Sequence, residues 1–295
     1  MKQTRGDYIF DYLNHAFLVV CLILVVYPLV YIISSSFSDA SAVVGGKVWL
    51  LPVQPTLDAY EAVFKSKQIW MGYYNSIIYT VVGTIFNIFM TILAAYPLSR
   101  KDFYGRNLIM GIFAFTMLFS GGLIPSYLLV KELGMINTRW AMWIPGAMAV
   151  WNVILMRTYF QSNIPTELYE AAELDGCGDS RFLVSVVFPL SGPIIAVMIL
   201  FYAVGHWNSY FTALIYLSSA RLYPLQIILR NILIQNQFDP AMMANVDMYE
   251  LARLQNMKDL LKFSIIIFAS APVMMIYPFV QKYFIKGIMI GALKG

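Results

Sequence analysis

Long apolar runs separated by polar intervals dominate this chain. They span residues 16–33, 75–98, 108–130, 140–159, 194–217 and 263–284. Each is close to the length that crosses a bilayer core as a helix, about 20 residues. None carries Asp, Glu or Lys in its middle, and charges gather at the ends. The pattern predicts an all-α membrane protein with six transmembrane helices in one domain, residues 16–284. Residues 1–15 and 285–295 flank it on one side of the membrane, because an even number of crossings returns the chain to its starting face.

Composition supports a bilayer solvent. Hydrophobic residues make up 60% of the chain and charged residues 12%, with a mean hydropathy of +0.68, far from a soluble domain. Lys2 and Arg5 precede the first run as in a signal peptide. The run is long for that role, however, and Asp7 and Asp11 intervene. A retained first helix is expected.

The polar interval at 163–193 breaks the pattern. Glu167, Glu170, Glu173, Asp175 and Asp179 stand there, with Arg157 and Arg181 the chief basic residues nearby. Asn163 to Thr166 supplies helix-start residues, and Glu167 and Glu170 favour the positive end of a helix dipole. Leu168, Ala171, Ala172 and Asp175 recur at helical spacing, and the two alanines allow a close backbone approach. Gly176 suits a left-handed C-terminal position. A second helix can begin at Asp179 or Ser180, and Pro189 is expected to bias Phe188 out of helical geometry and end it. The reading is helix, tight turn, helix, displayed to a soluble partner.

These residues resemble the EAA motif of binding-protein-dependent ABC importer permeases. Glu170-Ala171-Ala172, Gly176, Val186 and Phe188-Pro189 occupy its positions. Val186 replaces the usual Ile, Phe188 the usual Leu, and Cys177 a common Ala, all with apolar or small character kept. The resemblance extends over nearly the whole chain to the MalG-like branch of carbohydrate permeases. It is carried by Pro28…Ser34-Ser35-Ser36-Phe37-Ser38, by Phe119-Ser-Gly-Gly-Leu-Ile-Pro125, and by Tyr277-Pro278…Gln281…Lys286-Gly287…Lys294-Gly295. The second and third pieces look most like permeases for complex or acidic oligosaccharides, such as aldouronates and alginate- or pectin-derived fragments.

The resemblance implies a type I importer permease in the inner membrane of a bacterium, with both termini cytosolic. It implies partners as well: a second homologous permease, an ABC ATPase dimer carrying ATP and Mg, and an extracytoplasmic binding protein that delivers an oligosaccharide. Glu170, Ala171, Ala172, Asp175 and Gly176 would couple to the ATPase. The external segment at 218–262, with helix-like pieces at 225–234 and 248–261 and a turn at Asp239-Pro240, would meet the binding protein. The tail at 285–295 would reach between the ATPase subunits. Lys and Arg divide evenly between the two faces, so the motif, with the basic N-terminus and the Arg100-Lys101…Arg106 loop, sets the orientation.

Catalytic chemistry finds little support. His15 and His206 form no metal-ligand pair, and Gly45-Gly46-Lys47 lacks the spacing of a phosphate loop. Cys21 and Cys177 lie in different compartments of this topology, so no disulfide is expected. The net charge of +4 is spread over loops, with no patch for nucleic acid. No cofactor is expected in the chain itself. A membrane-embedded enzyme acting on lipid or polysaccharide, a receptor or scaffold without transport, and an importer of another polar solute are the alternatives.

Polar groups within apolar runs are costly and need a reason. Tyr202, His206 and Ser209 fall at i, i+4 and i+7 of one expected helix, and Asn152 stands amid apolar neighbours in another. They are candidates for the solute passage, with Trp207 as a surface on which a sugar ring stacks. Helix–helix hydrogen bonding explains Asn152 and His206 equally well, and is the expected role of Asn87. Trp140 and Tyr79 suit interfacial anchors.

Overall fold

The structure is a computed structural model and describes residues 5–234 and 260–278. Every regular element among them is helical. In chain order these are α1 (Arg5–Ser36), α2 (Ala40–Val44), α3 (Asp58–Lys65), α4 (Lys67–Ser99), α5 (Arg106–Leu118), α6 (Leu123–Glu132) and α7 (Trp140–Trp143). There follow α8 (Val150–Asn163), α9 (Thr166–Leu174), α10 (Asp179–Phe182), a π turn (Leu183–Val187), α11 (Phe188–Leu190), α12 (Gly192–Trp207), α13 (Tyr210–Tyr216) and α14 (Leu225–Ile234). A last helix, α15, covers Leu260–Pro278. The loop pieces expected at 239–240 and 248–259 and the tail at 285–295 lie outside the described residues, as does the end of the sixth run.

Two compact units divide the described residues, one from residues 5–70, 229–234 and 260–271, the other from 71–228 and 272–278. In the first, the serines of the Ser34–Ser38 motif tie the end of α1 to the following loop. Ser34 Oγ donates to Leu50 O (2.6 Å), Val53 N donates to Ser38 Oγ (2.9 Å), and Tyr60 OH donates to Ser36 Oγ (2.9 Å). Ala42, Val43, Val48, Ala59 and Leu260 form the small apolar core beneath. Most of α1 is exposed, with Leu24 and Val25 typical, as lipid or a protein partner requires of so apolar a helix.

In the second unit, α4, α8, α12 and the 163–190 hairpin meet around Tyr96, Met156, Phe160, Phe182, Val187 and Met198. At the far end of α4, Asn75 Nδ2 donates to the carbonyls of Arg221 and Tyr223 (2.8 and 3.1 Å), and Tyr79 OH donates to Leu222 O (2.8 Å). Tyr79 is therefore a buried tether in this chain and not the interfacial anchor its sequence position suggests.

Several expected spans are broken. Among the described residues three helices alone are long and apolar enough to cross a membrane, 6–36, 67–99 and 260–278, or five if each bent pair counts once. The third run is no single helix: α5 and α6 meet at 113°. Gly122, at φ +87° and ψ 177°, takes a conformation that only glycine adopts readily. The fourth run is interrupted between Trp143 and Val150, where Pro145-Gly146 stops the helix. The fifth ends at Trp207 rather than continuing to residue 217.

Pro189 does not behave as expected either. Phe188 is helical, at φ −60° and ψ −48°, and the helix runs on to Leu190. The π turn before it absorbs the proline. Phe188 N bonds back to Leu183 O, a five-residue step that widens the turn where the ring would otherwise clash.

Candidate functional site

The hairpin is built as its sequence suggests as far as the second helix, which begins at Asp179. Pro165 sits just ahead of α9 and Glu167 lies in its first turn. The turn closes with Cys177 N donating to Ala172 O (2.8 Å) and Gly176 N to Glu173 O (3.0 Å). Gly176 takes φ +74°, a Schellman-type ending that a side chain would strain. Glu170, Ala171, Asp175 and Gly176 are exposed, Ala172 is half-buried, and Leu174, an apolar residue at the tip, is 89% exposed. No residue of α9 is buried. Carboxylates and an uncovered leucine thus share one exposed surface.

Behind the hairpin lies a charged hollow of about 440 Å3 bordered by Arg100, Arg106, Gln161, Tyr169, Glu170 and Glu173. The turn after α4 frames it. Arg100 donates to both carboxylate oxygens of Asp102 (3.1 and 3.3 Å), and Arg106 Nη1 donates to Arg100 O (3.0 Å). The hydrogen bonds from Arg100 hold the Asp102 carboxyl below its ordinary pKa. Tyr104 projects from this turn 98% exposed.

The intramembrane candidates do not share one surface. Tyr202 and His206 face α4 and are buried. Thr91 Oγ1 donates to Asn87 O (2.6 Å), so Tyr202 OH is the donor in its 2.6 Å bond to Thr91 Oγ1. Tyr202 OH in turn accepts Ala149 N–H (3.3 Å). Asn87 Nδ2 donates to Gly146 O, and Asn87 Oδ1 accepts from His206 Nε2 (2.7 Å). Asn87 and Tyr202 thus satisfy the backbone of the helix break at 144–149. A membrane requires this of any non-helical segment, since no water is on hand to do it. His206 fits because Gly83 has no side chain, and a Cβ there would collide with the imidazole ring.

Ser209 leaves the expected stripe. α12 stops two residues earlier, and Ser209 Oγ donates to His206 O (2.7 Å). The i, i+4, i+7 relation holds only for a helix that continues.

Asn152 and Trp207 instead border one cavity of about 700 Å3, shared with Thr80, Phe201, Pro272 and Tyr277. Its wall is mostly apolar. Thr80 Oγ1 is buried there without a hydrogen-bond partner among the described residues, and Tyr73 packs edge-on to Trp207 at 5.6 Å. No group of three or more His, Cys, Asp or Glu that could hold a metal ion occurs among the described residues, and Cys21 and Cys177 are free.

Comparison with known proteins places this geometry in a lineage. The family described as "Binding-protein-dependent transport system inner membrane component" matches residues 68–290. Similar proteins include the polygalacturonan/rhamnogalacturonan transport system permease protein YtcP of Bacillus subtilis (strain 168), 40% identical over 97% of this chain and 99% of that protein. Protein LplC of the same organism is 38% identical over 100% of this chain and 98% of its own length. Among solved structures, a chain of a bacterial ABC transporter involved in the import of the acidic polysaccharide alginate matches with a TM-score of 0.87. The identity is 35%, covering 96% of this chain and 99% of that one. The helical fold and the apolar helices agree with these likenesses, and the chain belongs to the binding-protein-dependent transport system inner membrane component family, as a permease subunit of ABC importers and not an enzyme.

Proposed function

We propose that this permease imports oligosaccharides cut from acidic polysaccharides, working by alternating access between two membrane states. One observation carries the cargo class. Over nearly its full length the chain resembles a permease named for polygalacturonan and rhamnogalacturonan and a chain of an alginate importer.

The hairpin is the coupling element in this reading. Glu170, Ala171, Ala172, Asp175 and Gly176 dock on a partner ATPase, which supplies ATP hydrolysis. The exposure of the carboxylates and of Leu174 supports this. The end of the protein that bears the hairpin then faces the cytosol, both termini lie there, and the chain crosses the membrane six times with its broken spans counted. A second permease pairs with this one and gives the uncovered apolar helices protein as well as lipid to rest on.

Asn152 and Trp207 are the passage residues that the geometry favours, because they border the large cavity with the Thr80 hydroxyl, which has no partner among the described residues. Tyr202 and His206 serve the passage indirectly by holding the 144–149 break in place. A strain lacking this chain tests the cargo. It should fail to grow on oligogalacturonides or oligoalginates while growing normally on their monomers, and normal growth on both oligomers would exclude this cargo class.

A further inference from the structure

We propose that Arg100 and Tyr169 form a clasp that makes the acidic hairpin and the end of α4 move as one body. The proposal rests on reading the hairpin as the docking element, and it names the contact through which movement at the hairpin enters the membrane helices. The guanidinium carbon of Arg100 lies 3.0 Å from the centroid of the Tyr169 ring. The same ring meets Phe182 edge-on at 5.4 Å. Tyr169 belongs to the first hairpin helix, Phe182 to the second, and Arg100 to the turn after α4. One aromatic ring therefore joins three elements.

Each side of the clasp is held from behind. The Arg100 side chain is only 15% exposed and is paired with Asp102. Arg106 fixes its carbonyl, and its amide donates to Pro97 O (3.1 Å). The preceding carbonyls of Leu98 and Ser99 accept from Arg157 Nε (2.8 Å) and Gln161 Nε2 (3.3 Å) of α8. Phe182 is buried in the main core. A cation over an aromatic face gains most where water is excluded. Arg suits the place better than Lys because its planar group can stack on the ring and still bond Asp102 with two nitrogens.

The first helix of the hairpin needs such a hold. No residue of α9 is buried, and its inner contacts are Tyr169 and the half-buried Ala172. Tyr169 precedes Glu170 directly, so a displacement of the docking surface reaches the ring first. Without the clasp α9 can yield while α4 and the second hairpin helix stay put, and ATP hydrolysis loses its link to the membrane helices.

The test uses the complete importer, with its ATPase, second permease and binding protein as purified from cells. ATP hydrolysis is measured with and without the binding protein, on equal amounts of assembled complex. Tyr169→Leu and Arg100→Gln should each cut the stimulation about tenfold, the equivalent of a largely dehydrated cation–π contact. Tyr169→Phe keeps the ring face and should stay within about twofold of wild type. The double variant should be no worse than the worse single one, because both changes break one contact. Normal stimulation of both single variants, beside a loss in Glu170→Lys, overturns the clasp and leaves the docking reading intact. Normal stimulation in Glu170→Lys as well overturns the docking reading itself. Reduced assembly with an unchanged stimulation of the assembled fraction also overturns the clasp, since it would then be a stability contact alone. A Tyr169→Phe variant as impaired as Tyr169→Leu does the same, by showing that the ring face is not what matters.

Discussion

Replacing Tyr202 by Phe removes one oxygen and nothing else, which makes it a clean probe of why polar residues stand inside this membrane domain. That oxygen accepts the Ala149 N–H and donates to Thr91. Without it, Ala149 N–H is left at a helix break with no replacement partner from the phenyl ring. An orphaned buried donor costs about 1–3 kcal/mol, whereas polar side-chain bonds between membrane helices average about 0.6 kcal/mol in double-mutant cycles. The 3.3 Å bond to Ala149 is long and the 2.6 Å bond to Thr91 is short, so the loss should be about 1–2 kcal/mol, between those two figures. For a cooperative unit of 150–250 residues this lowers the melting temperature by about 2–8 °C. The assay is thermal unfolding of the assembled transporter in lipid nanodiscs, run beside uptake with a panel of oligosaccharides. A lower melting point with cargo preference unchanged is expected. An unchanged melting point with altered preference would refute the packing argument and return Tyr202 to the passage wall.

Other expectations follow from the same geometry. Gly83→Ala should destabilise the protein by about 1–3 kcal/mol through overpacking against the His206 ring, and His206→Ala in the same chain should relieve part of that loss in the same melting assay. Gly176→Pro should abolish ATP-dependent uptake while the chain still inserts and pairs, because proline cannot adopt the φ of +74° found there; uptake at the wild-type rate would contradict it. Asn152→Ala should change cargo affinity about two- to tenfold, the effect of losing one hydrogen bond to a sugar hydroxyl, with the melting point kept. Competition uptake assays would measure that change, and identical inhibition curves for wild type and variant would count against Asn152 as a passage residue.

The broad architecture was readable because a bilayer constrains sequences strongly. Apolar length alone located α1, α4 and α15, and glutamates followed by a glycine located the hairpin and its left-handed turn. The breaks were less legible. Gly121-Gly122 and Pro145-Gly146 stand inside apolar runs where hydropathy continues uninterrupted, yet each stops a helix. The residues that repair the second break, Asn87 and Tyr202, lie 59 and 53 positions away from the groups they satisfy. No local pattern reports such a pairing. Asn87, expected to serve helix packing, bonds His206 of α12 and also the Gly146 carbonyl in the break before α8. Ser209 falls outside the expected stripe because periodicity assumes a helix that continues, and α12 ends at Trp207. Pro189 does not end the helix because a π turn, which no spacing announces, lets the helix pass it. Arg100 entered only as part of a basic loop. Its contact with Tyr169 joins residues 69 positions apart, and neither residue type marks it.

The central claim is that this chain carries oligosaccharides inward at the expense of ATP hydrolysed by a partner. Proteoliposomes that hold this permease, its second permease and the ATPase, with ATP inside and binding protein outside, test it directly. Labelled oligogalacturonide should accumulate in the lumen only when ATP and binding protein are both present, and Glu170→Lys in this chain should prevent it. Accumulation without ATP, or none with every component present and the ATPase active, would contradict the account.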